Sequence, residues 1–133
     1  ERTVAEMHQW LADREVRADV IDVVISDLVE VGELDDDRFA RAFAADKREL
    51  SGGGPERIEA ALVERGLERS LAESAALEDH GEQLDRAAEL VRRRFGAPGD
   101  DGERSRALAF LGRRGYDYEV AYEAIRRAGR DAA

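Results

Sequence analysis

Apolar residues return every three or four positions along almost the whole of this chain. Leu84, Ala87, Ala88, Val91 and Phe95 form the clearest stripe. Val4, Met7 and Leu11 form another, as do Phe39 with Phe43, Ile58 with Leu62, Leu108 with Leu111, and Val120, Ala124 and Ala128. That period places each set on one face of an α-helix. Glycines follow the periodic runs at Gly32, Gly66, Gly81, Gly96, Gly115 and Gly129, where a left-handed residue stops a helix. Asp35–Asp37, Asp117 and Asp19 stand where helices should begin, with carboxylates able to accept bonds from free N–H groups. Pro55 suits a first helical position, because its missing N–H would find no partner there anyway. The pattern predicts about eight helices, over 3–13, 18–31, 36–49, 55–65, 69–79, 82–95, 103–114 and 118–128. Val20-Ile21 and Val23-Val24-Ile25 are β-branched and would suit a strand. No second run offers such a strand a partner, so 18–31 is expected to be a buried helix. The segments 51–54 and 97–102 are soft joints, too short to separate independent domains.

A phrase recurs inside this pattern. Leu62-Val63-Glu64-Arg65-Gly66-Leu67 is followed by Leu71, and Leu111-Gly112-Arg113-Arg114-Gly115-Tyr116 by Val120. Leu11-Ala12-Asp13-Arg14-Glu15-Val16, followed by Val20, is the same phrase without its glycine. The leading leucines lie 51 and 49 positions apart, so a unit of about fifty residues repeats. Repeated units need their neighbours to cover their apolar faces. Such a design presents a shaped surface and argues against a single catalytic pocket. Each phrase reads as a corner between two helices: the leucine lies in the last turn of one, the glycine ends it, and the next apolar residue plugs the corner. Left-handed backbone costs a residue with a side chain roughly 1 kcal/mol, so the corner at Glu15 is expected to be built differently from the other two.

Composition supports an all-helical chain rich in solvated surface. Charged residues make up 39% of the 133 residues and the hydrophobic set 43%, a balance typical of that class. The absence of cysteine removes disulfides and thiolate metal sites and suits a reducing compartment. No apolar run approaches the roughly 18–20 residues that span a bilayer, and no leader pattern stands at the front. A cytoplasmic, non-membrane protein is expected. The formal charge of −10 is uneven: residues 1–50 hold seven Lys/Arg against fourteen Asp/Glu, and residues 101–133 hold seven against six. An acidic front half repels a phosphate backbone, whereas the last unit tolerates one.

One stretch is more specific. Leu34-Asp35-Asp36-Asp37-Arg38-Phe39-Ala40-Arg41-Ala42-Phe43, then Lys47-Arg48, Gly52-Gly53-Gly54-Pro55-Glu56-Arg57-Ile58 and the Arg65-Gly66-Leu67 corner, resembles the RecX family of bacterial regulators of the RecA recombinase. Phe110-Leu111-Gly112-Arg113-Arg114-Gly115-Tyr116 is similar to the signature of that family's last repeat, and the likeness runs over roughly residues 3–128. The resemblance implies an all-α fold of tandem three-helix repeats in an elongated, curved array. Residues 1–133 would form one repeat domain: a truncated first repeat at 1–31, a second at 34–79 and a third at 82–128. It also implies further sequence before Glu1, including the first repeat's opening helix. The implied function is binding the RecA filament on single-stranded DNA, limiting its growth and damping ATP hydrolysis, strand exchange and the SOS response. No catalysis, cofactor or metal is implied, and a monomer is expected. With a net charge of −10, direct DNA binding is expected to be weak. A helix-turn-helix DNA-binding protein and a generic helical adaptor are the alternatives. The helix after Gly66 carries glutamates and no arginine between Ser70 and Asp79, which suits a major-groove reader poorly.

The candidate contact residues are basic. Arg92-Arg93-Arg94, Arg113-Arg114 and Arg126-Arg127 lie near predicted helix C-termini, where cations complement the dipole. Consecutive arginines cannot all serve that purpose, so Arg113, Arg114, Arg126 and Arg127, with Arg92 and Arg93, are candidates for holding acidic groups or phosphate. Lys47, Arg48 and Arg57 join them because the resemblance sets the glycine loop beside the filament. Other features have plainer readings. Asp35–Asp37 caps a helix, since consecutive carboxylates diverge and calcium-loop spacing is missing. Gly52–Pro55 lacks the Gly-Lys-Ser/Thr of a phosphate loop and reads as a linker. Phe39 and Phe43 read as core, Trp10 as a half-buried shoulder, and His8 and His80 as solvated or capping groups.

Overall fold

The computed structural model describes residues 1–131. Its eight helices among the described residues are α1 (Val4–Asp13), α2 (Ala18–Glu30), α3 (Asp36–Ser51), α4 (Pro55–Glu64), α5 (Arg69–Ala76), α6 (His80–Phe95), α7 (Asp101–Arg113) and α8 (Tyr118–Asp131). Five of their starts, those of α1, α3, α6, α7 and α8, are fixed by short polar side chains. Thr3 and Glu6 form a reciprocal capping box on α1, and Asp35, Asp79 and Asp100 each accept the backbone N–H three residues on. Asp117 does the same for Val120 at 2.8 Å. Each such cap contributes about 1 kcal/mol. The β-branched run that might have made a strand is helical in α2, but the expectation of a buried helix is corrected: within it Ile21 is buried, whereas Val20, Val23 and Val29 are exposed.

Several expected boundaries move for identifiable reasons. Asp19 is not a cap: Arg17 occupies that position without a side-chain bond, and Asp19 pairs with the Arg17 guanidinium at 2.5 Å. Gly81 does not end a helix but sits in the first turn of α6, because Asp79 starts that helix early. Gly129 lies inside α8. α5 stops at Ala76 rather than at 79, as Leu77 adopts extended backbone and turns the chain so that Glu78 points inward.

Two cores organise the later part of the chain. Phe39, Ala40 and Ala44 of α3 pack on Ile58 and Leu62 of α4, on Leu67, and on Ala72 and Ala76 of α5. Leu84, Ala87, Ala88 and Val91 of α6 pack on Phe110 and Leu111 of α7 and on Val120, Ala124 and Ala128 of α8. Alanine on the crossing faces lets α6 and α8 lie close together. The first pair, α1 and α2, has a thinner core of Leu11 and Ile21 beside Leu34. Phe39 and Phe43 lie 5.8 Å apart, the first buried and the second half-buried. The accessible surface is 8154 Å², against about 7,000 Å² for a compact protein of this mass. The units are strung out, not balled up.

The three corners are built alike. In each, the residue at the fifth position of the phrase donates its N–H to the carbonyl three back, and the next residue donates to the leucine carbonyl. The pairs are Glu15 to Ala12 and Val16 to Leu11, Gly66 to Val63 and Leu67 to Leu62, and Gly115 to Gly112 and Tyr116 to Leu111, all between 2.9 and 3.2 Å. Glu15 has φ 61° and is the one non-glycine with positive φ among the described residues. The expectation of a different first corner is therefore corrected: the same geometry is made without glycine.

What differs is the neighbour. A Cβ on Gly115 would stand 2.4 Å from the Cβ of Arg57 and 2.5 Å from its backbone nitrogen, and one on Gly66 would stand 2.5 Å from the Cβ of Ala5. Each glycine corner is pressed against the start of the middle helix in the preceding unit, α4 or α1. Among the described residues no unit packs this way against Glu15, which is exposed.

Candidate interaction surface

The joint between the second and third units is made of backbone. The N–H of Gly54 donates to the Arg114 carbonyl at 2.7 Å, and that of Glu56 to the Gly115 carbonyl at 3.1 Å. The Tyr116 hydroxyl donates to the Gly52 carbonyl at 2.8 Å and accepts from Arg86 Nε at 2.7 Å. Glu78, almost fully buried, receives Arg86 at 2.5 Å and stands 3.5 Å from Arg48. Burial is the largest single influence on Arg86 and opposes its charge, but the hydrogen bonds and charge interactions with Glu78 and Tyr116 together outweigh it and leave the guanidinium pKa raised. Burial also raises the Tyr116 phenol above its ordinary value. The glycine loop is thus the seat for the next corner, and Gly54 permits contact because a Cβ there would lie 2.6 Å from the Gly115 carbonyl carbon.

This joint gathers basic side chains from three helices. Arg57 of α4, Arg94 of α6, Arg113 of α7 and Arg114 surround one open cleft with Ser51 and Phe110. Arg94 and Arg114 lie over the Phe110 ring at 5.0 and 4.8 Å, and Arg114 donates to the Ser51 carbonyl. The Arg57 guanidinium reaches the Arg113 carbonyl at 3.5 Å. Arg57, Arg94 and Arg113 are exposed and make no ion pair among the described residues. Lys47 flanks the same edge in a neighbouring hollow with Arg57 and Glu64. A concentration of unpaired cations on an acidic chain creates a local positive field that steers an anionic surface.

The other sequence candidates fall elsewhere. Arg48 turns inward, donating to the carbonyls of Ala75, Ala76 and Leu77 as well as facing Glu78. It closes the end of α5. Arg92 and Arg93 both pair with Glu89, and Arg127 pairs with Asp85. Arg126 opens onto a separate groove between α7 and α8. Arg94, from the same arginine run as Arg92 and Arg93, and Asp36 take roles that only the packing fixes. Arg94 belongs to the basic cleft, and its place over Phe110 depends on α6 and α7 meeting. Asp36 accepts the Val4 N–H at 2.9 Å, tying α1 to α3. Asp37 pairs with Arg41, so the three aspartates diverge as capping residues do. Trp10 is half-buried between the Arg2 and Arg14 guanidiniums. His80 faces Glu123 at 3.2 Å and His8 is exposed.

The comparisons with known proteins match this geometry unit by unit. Residues 35–75 match the second three-helix domain of RecX, and residues 81–125 the third. The regulatory protein RecX of Mycobacterium avium (strain 104) is 36% identical, over 93% of this chain and 75% of its own length. The chain belongs to the RecX family. RecX of Stenotrophomonas maltophilia (strain K279a) is 35% identical over 98% of this chain and 78% of that protein. The crystal structure of RecX from Lactobacillus salivarius aligns with a TM-score of 0.85 at 21% identity, covering 96% of this chain and 85% of that one. A likeness at that identity speaks for the fold. The all-α architecture of tandem three-helix units, expected from the resemblance, is borne out, and RecX membership places the chain among regulatory proteins. No helix among the described residues is long and apolar enough to cross a membrane.

Proposed function

We propose that this RecX-family chain regulates the RecA recombinase by binding its filament on single-stranded DNA and holding it in a state that extends and turns over poorly. Family membership supports the regulatory role. The observation that carries the reading to a surface is the cleft of Arg57, Arg94 and Arg113, where unpaired cations from two repeat units converge on an otherwise acidic molecule. The perturbed groups Glu6, Arg86 and Tyr116 are engaged in contacts between helices and between units. They stabilise a rigid binding body. The mechanism is differential binding: a partner state whose acidic groups match this spacing is favoured over one whose groups do not. Filament growth, ATP hydrolysis, strand exchange and the cell's SOS response would all fall through that one shift.

The test is RecA-dependent ATP hydrolysis on single-stranded DNA, titrated with the chain. Inhibition is expected with less than one regulator per RecA protomer, and it should weaken as salt rises. Arg57→Glu, Arg94→Glu and Arg113→Glu combined should remove the inhibition while leaving the helical circular dichroism unchanged. Hydrolysis unaffected by the wild-type chain would refute the proposed function. Full inhibition by the triple variant would instead show that the gripping surface lies elsewhere.

A further inference from the structure

The groove between α7 and α8 lies apart from the arginine cleft and has a different chemistry. Tyr118 and Tyr122, four residues apart on α8, stack with ring centroids 6.0 Å apart and planes tilted by 16°. Both are exposed, at 68% and 52%. Most aromatic residues of a small helical protein serve its core, as Phe39, Phe110 and Tyr116 do here, so two adjacent rings offered to solvent are unusual. The rings edge a groove of about 810 Å³ whose floor is Leu108 and Ile125. Arg104, Arg126 and Arg130 stand around it. Arg104 is held by Asp101 at 2.7 Å, the one carboxylate lining the groove. Arg126 and Arg130 make no ion pair among the described side chains.

We propose that this groove binds single-stranded nucleic acid, with bases stacking on the outer faces of the Tyr118–Tyr122 pair and phosphates meeting Arg126 and Arg130. Flat aromatic faces beside unpaired cations are what single strands require, because every base has a π-face and every linkage a negative charge. An acidic peptide would satisfy the arginines but leave both rings wet, and a duplex would keep its bases stacked on one another. The last unit is also the part of the chain whose charge does not repel phosphate, with seven Lys/Arg against six Asp/Glu over residues 101–133. This site does not rest on the RecA reading: it needs only a free strand.

Fluorescence anisotropy of the isolated chain with an end-labelled oligothymidylate tests it, beside an abasic phosphodiester of equal length and an oligoglutamate peptide. Oligothymidylate should bind, with a salt slope near that of about two released phosphates, roughly −1.4. The abasic strand should bind about tenfold more weakly or worse, as expected when stacking is lost. Tyr118→Ala with Tyr122→Ala should reproduce that loss on oligothymidylate, and both positions are exposed enough to leave the helix intact. Arg126→Glu should weaken the oligothymidylate and the abasic strand alike. Equal affinity for the abasic strand, tighter binding of oligoglutamate, an unaffected double-tyrosine variant, or no binding at low salt would each overturn the site. Inhibition of RecA by the double-tyrosine variant would leave the regulatory reading standing, so the two proposals fail separately.

Discussion

The first and third units meet the second through equivalent positions but by different chemistry. At the junction of units two and three, α4 begins with Gly54, and its amide bonds the Arg114 carbonyl directly. At the junction of units one and two, the matching position is Thr3, whose hydroxyl donates to the Arg65 carbonyl at 2.9 Å. Glu6, one turn into α1, then takes the Arg65 guanidinium through two bonds of 2.5 and 3.0 Å. The same seam is therefore closed once by main chain and once by side chains. Burial follows the same contrast. Val120, Ala121, Ala124, Ile125 and Ala128 of α8 are all buried, most of them beneath α6, whereas on α2 Val20 is 42% exposed and Val23 is 60% exposed. Helices at equivalent places in the repeat pack differently when their neighbours differ. A repeat specifies geometry; its neighbours decide stability.

The contrast breaks most severely at Gly115. Alanine there faces the Arg57 backbone within 3 Å while held at φ 98°, so left-handed strain and overpacking combine to about 2–4 kcal/mol. Chemical denaturation should register this loss. Gly66→Ala should cost less, because it meets only the Ala5 Cβ and no main-chain atom within 3 Å, although that methyl yields only if the start of α1 shifts with it. Equal effects at the two glycines would contradict the distinction between a main-chain seam and a side-chain seam.

Acid should act on the other seam. The Arg65 hydrogen bonds hold Glu6 down from 4.5 to about 2. A carboxylate depressed on folding contributes stability above its unfolded value, and that contribution drains away as pH falls from about 4.5 towards 2. Both side chains are about a third exposed, and solvent screening reduces the effect to about 1 kcal/mol. Amide exchange should show α1 and α2 losing protection relative to α6 and α8 over that range. In Glu6→Gln the differential loss should vanish, and its persistence would assign the acid response to other carboxylates.

Glu15→Gly gives the smallest effect and the opposite sign. Relief of the left-handed strain at φ 61°, offset by glycine's greater unfolded freedom, should raise stability by up to about 0.5 kcal/mol in thermal melts. A clear destabilisation would mean that the Glu15 side chain makes a stabilising contact.

Local pattern carried the eight helices and the fifty-residue unit because both depend on spacing within one turn or one corner. Arg48 shows where such reading stops. In sequence it sits beside Lys47 in a basic pair, yet its guanidinium closes the end of α5, some thirty residues further on. The cleft was half visible: Arg57, Arg113 and Arg114 could be named, but Arg94 joins them only because α6 and α7 cross at Phe110. Glu15 was misjudged because a left-handed corner was equated with glycine. What demands glycine is a closely pressed neighbour, and among the described residues none presses on Glu15.

The main-chain seam has a mechanical meaning. Any pivot of the last unit about Gly115 must lengthen the Gly54 and Glu56 amide bonds together while driving the Arg57 backbone into the corner, so that end of the rod resists bending. The seam at Arg65 hangs on a carboxylate, a hydroxyl and a long guanidinium arm, which tolerate swivel. Flexure of the molecule is thereby channelled to its acidic end, while the arginine cleft sits on the stiffer of the two joints.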